Sequence, residues 1–305
     1  MSASKRFLDP DVIARLRGLQ LRSREIAAGF ISGSHRSAYH GFSVEFAEHR
    51  QYVPGDDIRY VDWRIFGRAD RLYIREYEEE TNLRCNLLLD ASASMAYRGA
   101  QAALSKFDYA CRLAASLAYL LTRNQDAAGL VTFDHRVRRK LDSATGRRQL
   151  ADILEVLSDT APQEQTDVKV LFHQLAEQLR RRSMVILISD LLADADDVVS
   201  GIDHICHAGH ELIVLHVMDD DEWRFPFVDH VLFEGLEARE DLLADPQSLR
   251  ASYMAAVRRF TGRVEARCLM HRADYVRVNT RDPLDAVLCG WLAQRAGLTG
   301  RGGAR

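Results

Sequence analysis

From Thr81 onward, short apolar runs alternate with longer stretches whose apolar residues recur at helical spacing, and this alternation limits the possible folds more than any other property of the chain. RCNLLLD, AAGLVTF, MVILISD, ELIVLHVMD and YVRVNT read as strands: each is short, rich in leucine or β-branched residues, and bounded by turn formers. Helical patterns lie over 106–123, 146–157, 168–182, 196–208, 246–269 and 283–295, with Gly209 where a helix C-cap would stand and Pro283 just inside the last helix. VRRKLD reads as a hairpin partner of AAGLVTF, and 228–234 as a further short strand. Strands separated by crossover helices predict an α/β fold, a doubly wound and mainly parallel sheet covered on both faces. Ligands of such sheets gather outside the carboxyl ends of the strands.

The first eighty residues have a different texture. Val12, Leu16, Leu19, Ile26 and Phe30 recur at helical spacing between Asp9 and Ile31, with Pro10 near the start and Gly33 past the end, which predicts one amphipathic helix. YVPGDDIRYVDW and RLYIREYEEE then bring aromatic and β-branched runs separated by the turn Pro54-Gly55-Asp56. The expected organisation is a helix and strand-bearing module over 1–80, an α/β domain over 81–297 and a flexible tail over 298–305.

Charge and cysteine usage exclude several classes of partner. Forty-one Lys and Arg against 44 Asp and Glu give a formal charge of −3, so no global basic field favours nucleic acid. The opening MSASKRFLDPDV has no apolar h-region, and no run of about 18 uncharged apolar residues is present, so no membrane insertion is expected. Five cysteines form no CxxC pair and sit within apolar segments, as reduced core cysteines do. A cytoplasmic location is expected.

Two strands end in aspartate: NLLLD at Asp90 and VILISD at Asp190. In a parallel sheet both carboxylates emerge at one edge. The loop after Asp90 carries Ser92 and Ser94, whose hydroxyls can turn to the same side. Carboxylates with neutral hydroxyls, and no His or Cys nearby, make a hard oxygen-only site suited to Mg2+, Mn2+ or Ca2+ rather than zinc. The other use of such residues is to cap the following helix, and both readings stay open from sequence.

Asp90-Ala91-Ser92-Ala93-Ser94 resembles the D-x-S-x-S of the metal-ion-dependent adhesion site in von Willebrand factor A domains. The family's other two elements have counterparts in the right order: Thr166 in QEQTDVKV and Asp190 in LISDLL. The resemblance implies a von Willebrand factor A-like, Rossmann-like topology, with the metal held by Asp90, Ser92, Ser94, Thr166 and Asp190 and one position open to a partner's carboxylate. Glycines often precede the threonine in such proteins, whereas Glu164-Gln165 stands here, and Thr166 or Asp167 could instead cap the helix that begins near Val168. A narrower resemblance covers nearly the whole chain: RQYVPGDDIRYVDWRIFGRADRLYIREYEEE, then D-x-S-x-S-M, GHELIVLHVMD, DYVRVNT and PLDAVL are similar to the bacterial family known as domain of unknown function fifty-eight. That resemblance implies a partnership with a MoxR-type AAA+ ATPase or its client, in a chaperone-like role.

Other clusters read as structure. His204 and His207 lie one helical turn apart with Cys206 between them and His210 beyond, but no second cluster completes a zinc site, and a solvated helix face is the better account. Asp56, Asp57, Asp62, Arg59 and Arg64 surround a turn and read as scaffold or docking surface. Glu76, Glu78, Glu79 and Glu80 read as a charged strand edge, and Arg15, Arg17, Arg22 and Arg24 as the solvated face of a packing helix.

The expected function is a non-enzymatic, metal-dependent protein-interaction module. The chain has no G-x-x-x-x-G-K-[ST], so ATP hydrolysis would belong to the partner. The alternative is a magnesium-dependent phosphohydrolase of the haloacid dehalogenase type with Asp90 as nucleophile and Asp190 on the metal. Ser92 stands where such enzymes place a second aspartate as general acid and base, and an alcohol cannot shuttle a proton near neutral pH as a carboxyl does.

Overall fold

A computed structural model describes residues 6–16, 44–53, 61–69, 71–79, 83–163, 182–229, 231–236 and 241–300. Thr166, the helix expected over 168–182, residues 17–31 of the first helix, Asp56, Asp57, Arg59 and Glu80 lie outside the described residues.

Two compact units divide the chain, one over 32–82 and one formed by 1–31 with 83–305. Helix α1 (Pro10–Leu16) therefore groups with the larger unit rather than with the strand-bearing module of the expected 1–80 division. The reason is packing: Phe7, Leu8, Val12 and Leu16 are buried in the α/β core. In the smaller unit, β1 (Val44–Gln51) pairs antiparallel with β2 (Tyr73–Glu79), and α2 (Trp63–Ala69) lies between them in sequence. Asp62 is buried and its Oδ1 accepts from the Arg64 N–H at 2.9 Å, so it caps the start of α2.

The larger unit holds β3 (Arg84–Asp90), a single 3-10 turn (Ala93–Ala96), α3 (Lys106–Arg123), β4 (Ala127–Phe133), β5 (Val137–Ala144), α4 (Arg147–Asp159), β6 (Met184–Ser189), α5 (Ala195–His207), β7 (Glu211–Met218) and α6 (Asp220–Arg224). It continues with β8 (Val231–Phe233), β9 (Leu242–Ala244), α7 (Pro246–Met270), β10 (Asp274–Asn279) and α8 (Leu284–Gly300). Helix α8 runs through to Gly300, further than Arg295 and into the expected tail, because no proline interrupts its backbone ladder.

Six strands form one sheet in the order β10-β7-β6-β3-β4-β5, parallel except for the hairpin strand β5. Alternate side chains of each strand enter different cores. Leu87 and Leu89 pack with α1, α3, α4 and α8, whereas Leu88 packs with residues of α5 and α7 on the other face. Fully burying one such leucine contributes about 1.5–3 kcal/mol, so both faces of β3 hold the sheet centre firmly. This is the doubly wound α/β architecture that the strand and helix alternation predicts.

Taken in chain order within this sheet, the strands lie third-second-first-fourth-fifth-sixth. The order reverses between β3 and β6, and a crevice opens at the carboxyl ends there. Asp90 ends β3 and Asp190 follows β6, so the topology brings both strand-end carboxylates to the switch point.

Candidate cation site at the strand ends

Register brings the first contacts. Leu89 pairs with Ile188, so Asp90 stands beside Ser189, whose hydroxyl donates to Asp90 Oδ2 at 2.5 Å. Asp90 Oδ1 accepts the Ser92 N–H at 2.9 Å, which folds the chain sharply after the strand and brings Ser92 Oγ to 3.0 Å from Ser94 Oγ. Ser92 stands ahead of the 3-10 turn, yet its side chain makes no cap bond; the first turn of α3 is capped by Ser105, which accepts from the Asp108 N–H at 3.0 Å. The two serine hydroxyls are therefore turned into the site rather than used as caps. Asp90, Ser92 and Ser94 are buried to 1% exposure or less.

Asp190 closes the other side. Its Oδ1 accepts the Leu192 N–H at 3.1 Å, and Ser94 also bonds to its carboxylate. Its backbone carbonyl accepts from His216 Nε2 at 2.9 Å, and the Tyr275 hydroxyl lies 2.6 Å from His216 Nδ1. Asp190 Oδ2 accepts from the Lys106 ammonium at 2.7 Å, and that ammonium also donates to Glu222 Oε1 at 2.8 Å.

These placements set the charges. Burial, then the neighbouring Asp190, pushes Asp90 up to about 7, against the bonds from Ser189 and Ser92 that favour its ionised form. Burial would raise Asp190 too, but the charge and hydrogen bond of Lys106 hold it below the usual carboxylate range. Burial alone would pull the Lys106 ammonium down, and Asp190 and Glu222 outweigh it, so the lysine stays charged.

Four of the five expected site residues thus meet at one place: Asp90, Ser92, Ser94 and Asp190. The fifth, Thr166, lies outside the described residues, but the Gln163 N–H donates to the Ala91 carbonyl at 2.9 Å. Among the described residues, no three His, Cys, Asp or Glu side chains gather as a metal cluster; the oxygen donors here are two carboxylates with alcohols between them.

Sequence reasoning did not find Lys106, Glu222, His216, Asp134 or Asp219. Lys106 carries a signal: it shares a helical face with Ala110, Leu113 and Leu117, all buried, and a lysine on such a face must find a partner. Asp134 and Asp219 follow apolar strands in VTFD and HVMD just as Asp90 and Asp190 do. The histidines at and just after the end of α5 do not converge: the His207 ring lies against His271, and His210 Nδ1 meets the Ser183 N–H at 3.2 Å. The five cysteines are free.

A sheet of this order, with one antiparallel edge and an aspartate-serine loop at its switch point, defines a von Willebrand factor A-like domain. More narrowly, the chain belongs to the family described as Protein of unknown function DUF58, whose model matches residues 48–262. It is similar to uncharacterized proteins of Mycobacterium tuberculosis and Mycobacterium bovis, at 28% identity over 275 residues, covering 88% of this chain and 81% of theirs. Among solved structures it is similar to an aerotolerance-related membrane protein from Bacteroides fragilis (15% identity, TM-score 0.45, covering 70% of this chain and 99% of that one). The SpRpn10 VWA domain is similar at 11% identity and TM-score 0.42, with coverage of 69% and 95%. At these scores the structural likenesses say nothing about function. No helix among the described residues is long and apolar enough to cross a membrane.

Proposed function

We propose that this protein is a non-enzymatic interaction module that holds a divalent cation, Mg2+ (or Mn2+ or Ca2+), at the strand-end site and presents it to a carboxylate of a partner. One observation supports this reading most directly. The Ser92 and Ser94 oxygens are 3.0 Å apart. Two neighbouring ligands of an octahedral Mg2+ at about 2.1 Å also stand about 3.0 Å apart, so the pair fits that ion. Ser92 and Ser94 would hold it directly, with Thr166 as a third alcohol and Asp90 and Asp190 supplying negative charge close by. Charge agrees with this assignment: Asp90, Asp190 and Glu222 stand against one ammonium, Lys106. A bound cation held mainly by neutral alcohols keeps enough positive charge to attract an acidic side chain.

The resemblance of the signature block suggests a MoxR-type AAA+ ATPase or its client as the partner, with the module acting as adaptor or co-chaperone in the cytoplasm. The phosphohydrolase reading fits less well. Both oxygens of Asp90 already accept hydrogen bonds, from Ser92 and Ser189, and the position two residues on is an alcohol.

Thermal unfolding with and without Mg2+ tests the cation, and partner capture with and without chelator tests its use. The expected results are a Tm rise with Mg2+ that Ser92→Ala/Ser94→Ala abolishes, and capture of the ATPase or its client that chelator removes. Hydrolysis of an aryl phosphate by the purified protein, lost in Asp90→Asn, would instead establish the enzyme.

A further inference from the structure

Lys106 is 1% exposed, at the first turn of α3, with its ammonium between Asp190 Oδ2 and Glu222 Oε1. A buried ammonium persists only when paired, and its two carboxylates differ in kind. The Asp190 side chain is 2% exposed and belongs to the strand-end site, whereas Glu222 is 26% exposed and belongs to α6. Glu222 Oε2 accepts the Asp219 N–H at 2.7 Å within a capping box, so its position is fixed without help from the lysine. The lysine thus bridges the cation site and an independently anchored carboxylate at its rim.

We propose that Lys106 is a tethered cation that competes with a divalent ion for Asp190, and that Glu222 retains the ammonium when the ion takes Asp190. This rests on the reading above that the site binds such an ion. An ammonium and a dication drawing on one buried carboxylate repel each other, and neither burial nor salt screens them well there. Tyr97, whose ring centre is 5.9 Å from the ammonium, and the neutral hydroxyl of Ser94 are the other neighbours that bear on the exchange. Neither carries a charge that would hold the lysine in place of Glu222.

Competition has a signature that a merely structural ion pair lacks: removing the lysine and removing its second anchor act in opposite directions. Without Lys106, Asp190 is left wholly to the cation. Without the Glu222 charge, the ammonium leans entirely on Asp190 and the cation is held less well.

The test is calorimetric titration of the full chain with Mg2+, in wild type, Lys106→Met and Glu222→Gln, together with Tm measured with and without Mg2+. Lys106→Met is expected to bind Mg2+ at least about tenfold more tightly than wild type and to gain more Tm from it, since the ion then neutralises carboxylates the lysine served. Glu222→Gln is expected to bind at least about threefold more weakly; because Glu222 is partly exposed, this variant keeps the test open should Lys106→Met not fold without the ion. Binding by Lys106→Met with none by wild type also supports the competition. If wild type binds Mg2+ while Lys106→Met binds no more tightly, or Glu222→Gln binds more tightly, the competition is wrong and the cation site stands. If neither wild type nor either variant binds Mg2+, the cation reading fails and the competition with it.

Discussion

Replacing His216 with glutamine is expected to change how stability responds to acid, because the histidine is held neutral. Its Nε2 faces the Asp190 backbone carbonyl at 2.9 Å, an atom that can only accept, so Nε2 carries the proton and Nδ1 accepts from the Tyr275 hydroxyl at 2.6 Å. Burial drives its pKa down to about 4, against the opposing bond and charge of Asp190. In the unfolded chain a histidine titrates near about 6.5. The folded value is the lower one, so the unfolded chain binds more protons between these limits, and stability is lost as pH falls from about 6.5 to about 4. At about pH 4.5 the linkage relation gives a loss of about 2–3 kcal/mol relative to about pH 7.5. Glutamine keeps a donor for the Asp190 carbonyl and removes the titration. Its ring contacts with Trp223, Phe260 and Tyr275 are lost at both pH values and cancel in the comparison. Asp90, whose pKa is raised, titrates in the opposite sense, and it is common to both proteins. Urea unfolding of wild type and His216→Gln at the two pH values should therefore differ by about 2–3 kcal/mol in pH response, with the variant the less acid-sensitive. Parallel responses would refute the neutral, buried imidazole and the proton assignment derived from it.

Two further perturbations probe a loop near the strand ends and the opposite end of the sheet. Gly99 donates its N–H to Asp219 Oδ2 at 3.1 Å, and a Cβ at this position would run into the Asp219 carboxylate and stand 2.5 Å from Asp221 Oδ2; Gly99→Ala is expected to cost about 1–3 kcal/mol in chemical denaturation, and an unchanged midpoint would show that this loop is not clamped. Gln149 donates to the Ala128 carbonyl at 2.7 Å and the Asp142 carbonyl at 2.9 Å across the irregular β4–β5 pairing. Gln149→Leu strands both acceptors and is expected to lower stability by about 2–3 kcal/mol, read as a lower urea midpoint with unchanged slope.

The sheet was legible because its signals are local and redundant. Each parallel strand is a short apolar run, α3, α4 and α5 have a strong helical period, and Pro246 and Pro283 mark two helix starts. The helix expected over about 106–123 is found over Lys106–Arg123, capped by Ser105 and ended at Asn124. The convergence of Asp90 and Asp190 was legible for the same reason, since parallel strands must present their carboxyl ends together. Lys106 and Glu222 were not: they are 116 residues apart, and nothing local says that a lysine in the first turn of one helix will meet a glutamate in a five-residue helix after β7. His216 was hidden inside an apolar run, where its meaning depends on a carbonyl from the neighbouring strand. The grouping of α1 with the α/β core was hidden too, because an amphipathic pattern shows that a face is buried and not against what.

A row of carboxylates lines the edge of the sheet at which the strand-end site lies. Four neighbouring parallel strands end in or just before an aspartate: Asp134 after β4, Asp90 in β3, Asp190 after β6 and Asp219 after β7. Such a row is tolerable only where each charge has its own donors. Asp134 accepts from the Arg136 N–H and from the Arg138 side chain, and so fixes the β4–β5 turn. Asp219 accepts from the N–H groups of Gly99 and Asp221 and from the Thr280 hydroxyl, tying three loops together. Asp190 has Lys106. Asp90 has the Ser92 N–H and the hydroxyls of Ser189 and Ser92, all neutral, and these do not offset the burial and the neighbouring Asp190 that raise its pKa. Asp90, the carboxylate of the row whose pKa is raised, bonds to Ser92, whose hydroxyl pairs with that of Ser94. In the proposed reading, a cation at those alcohols would offset the repulsion between Asp90 and Asp190.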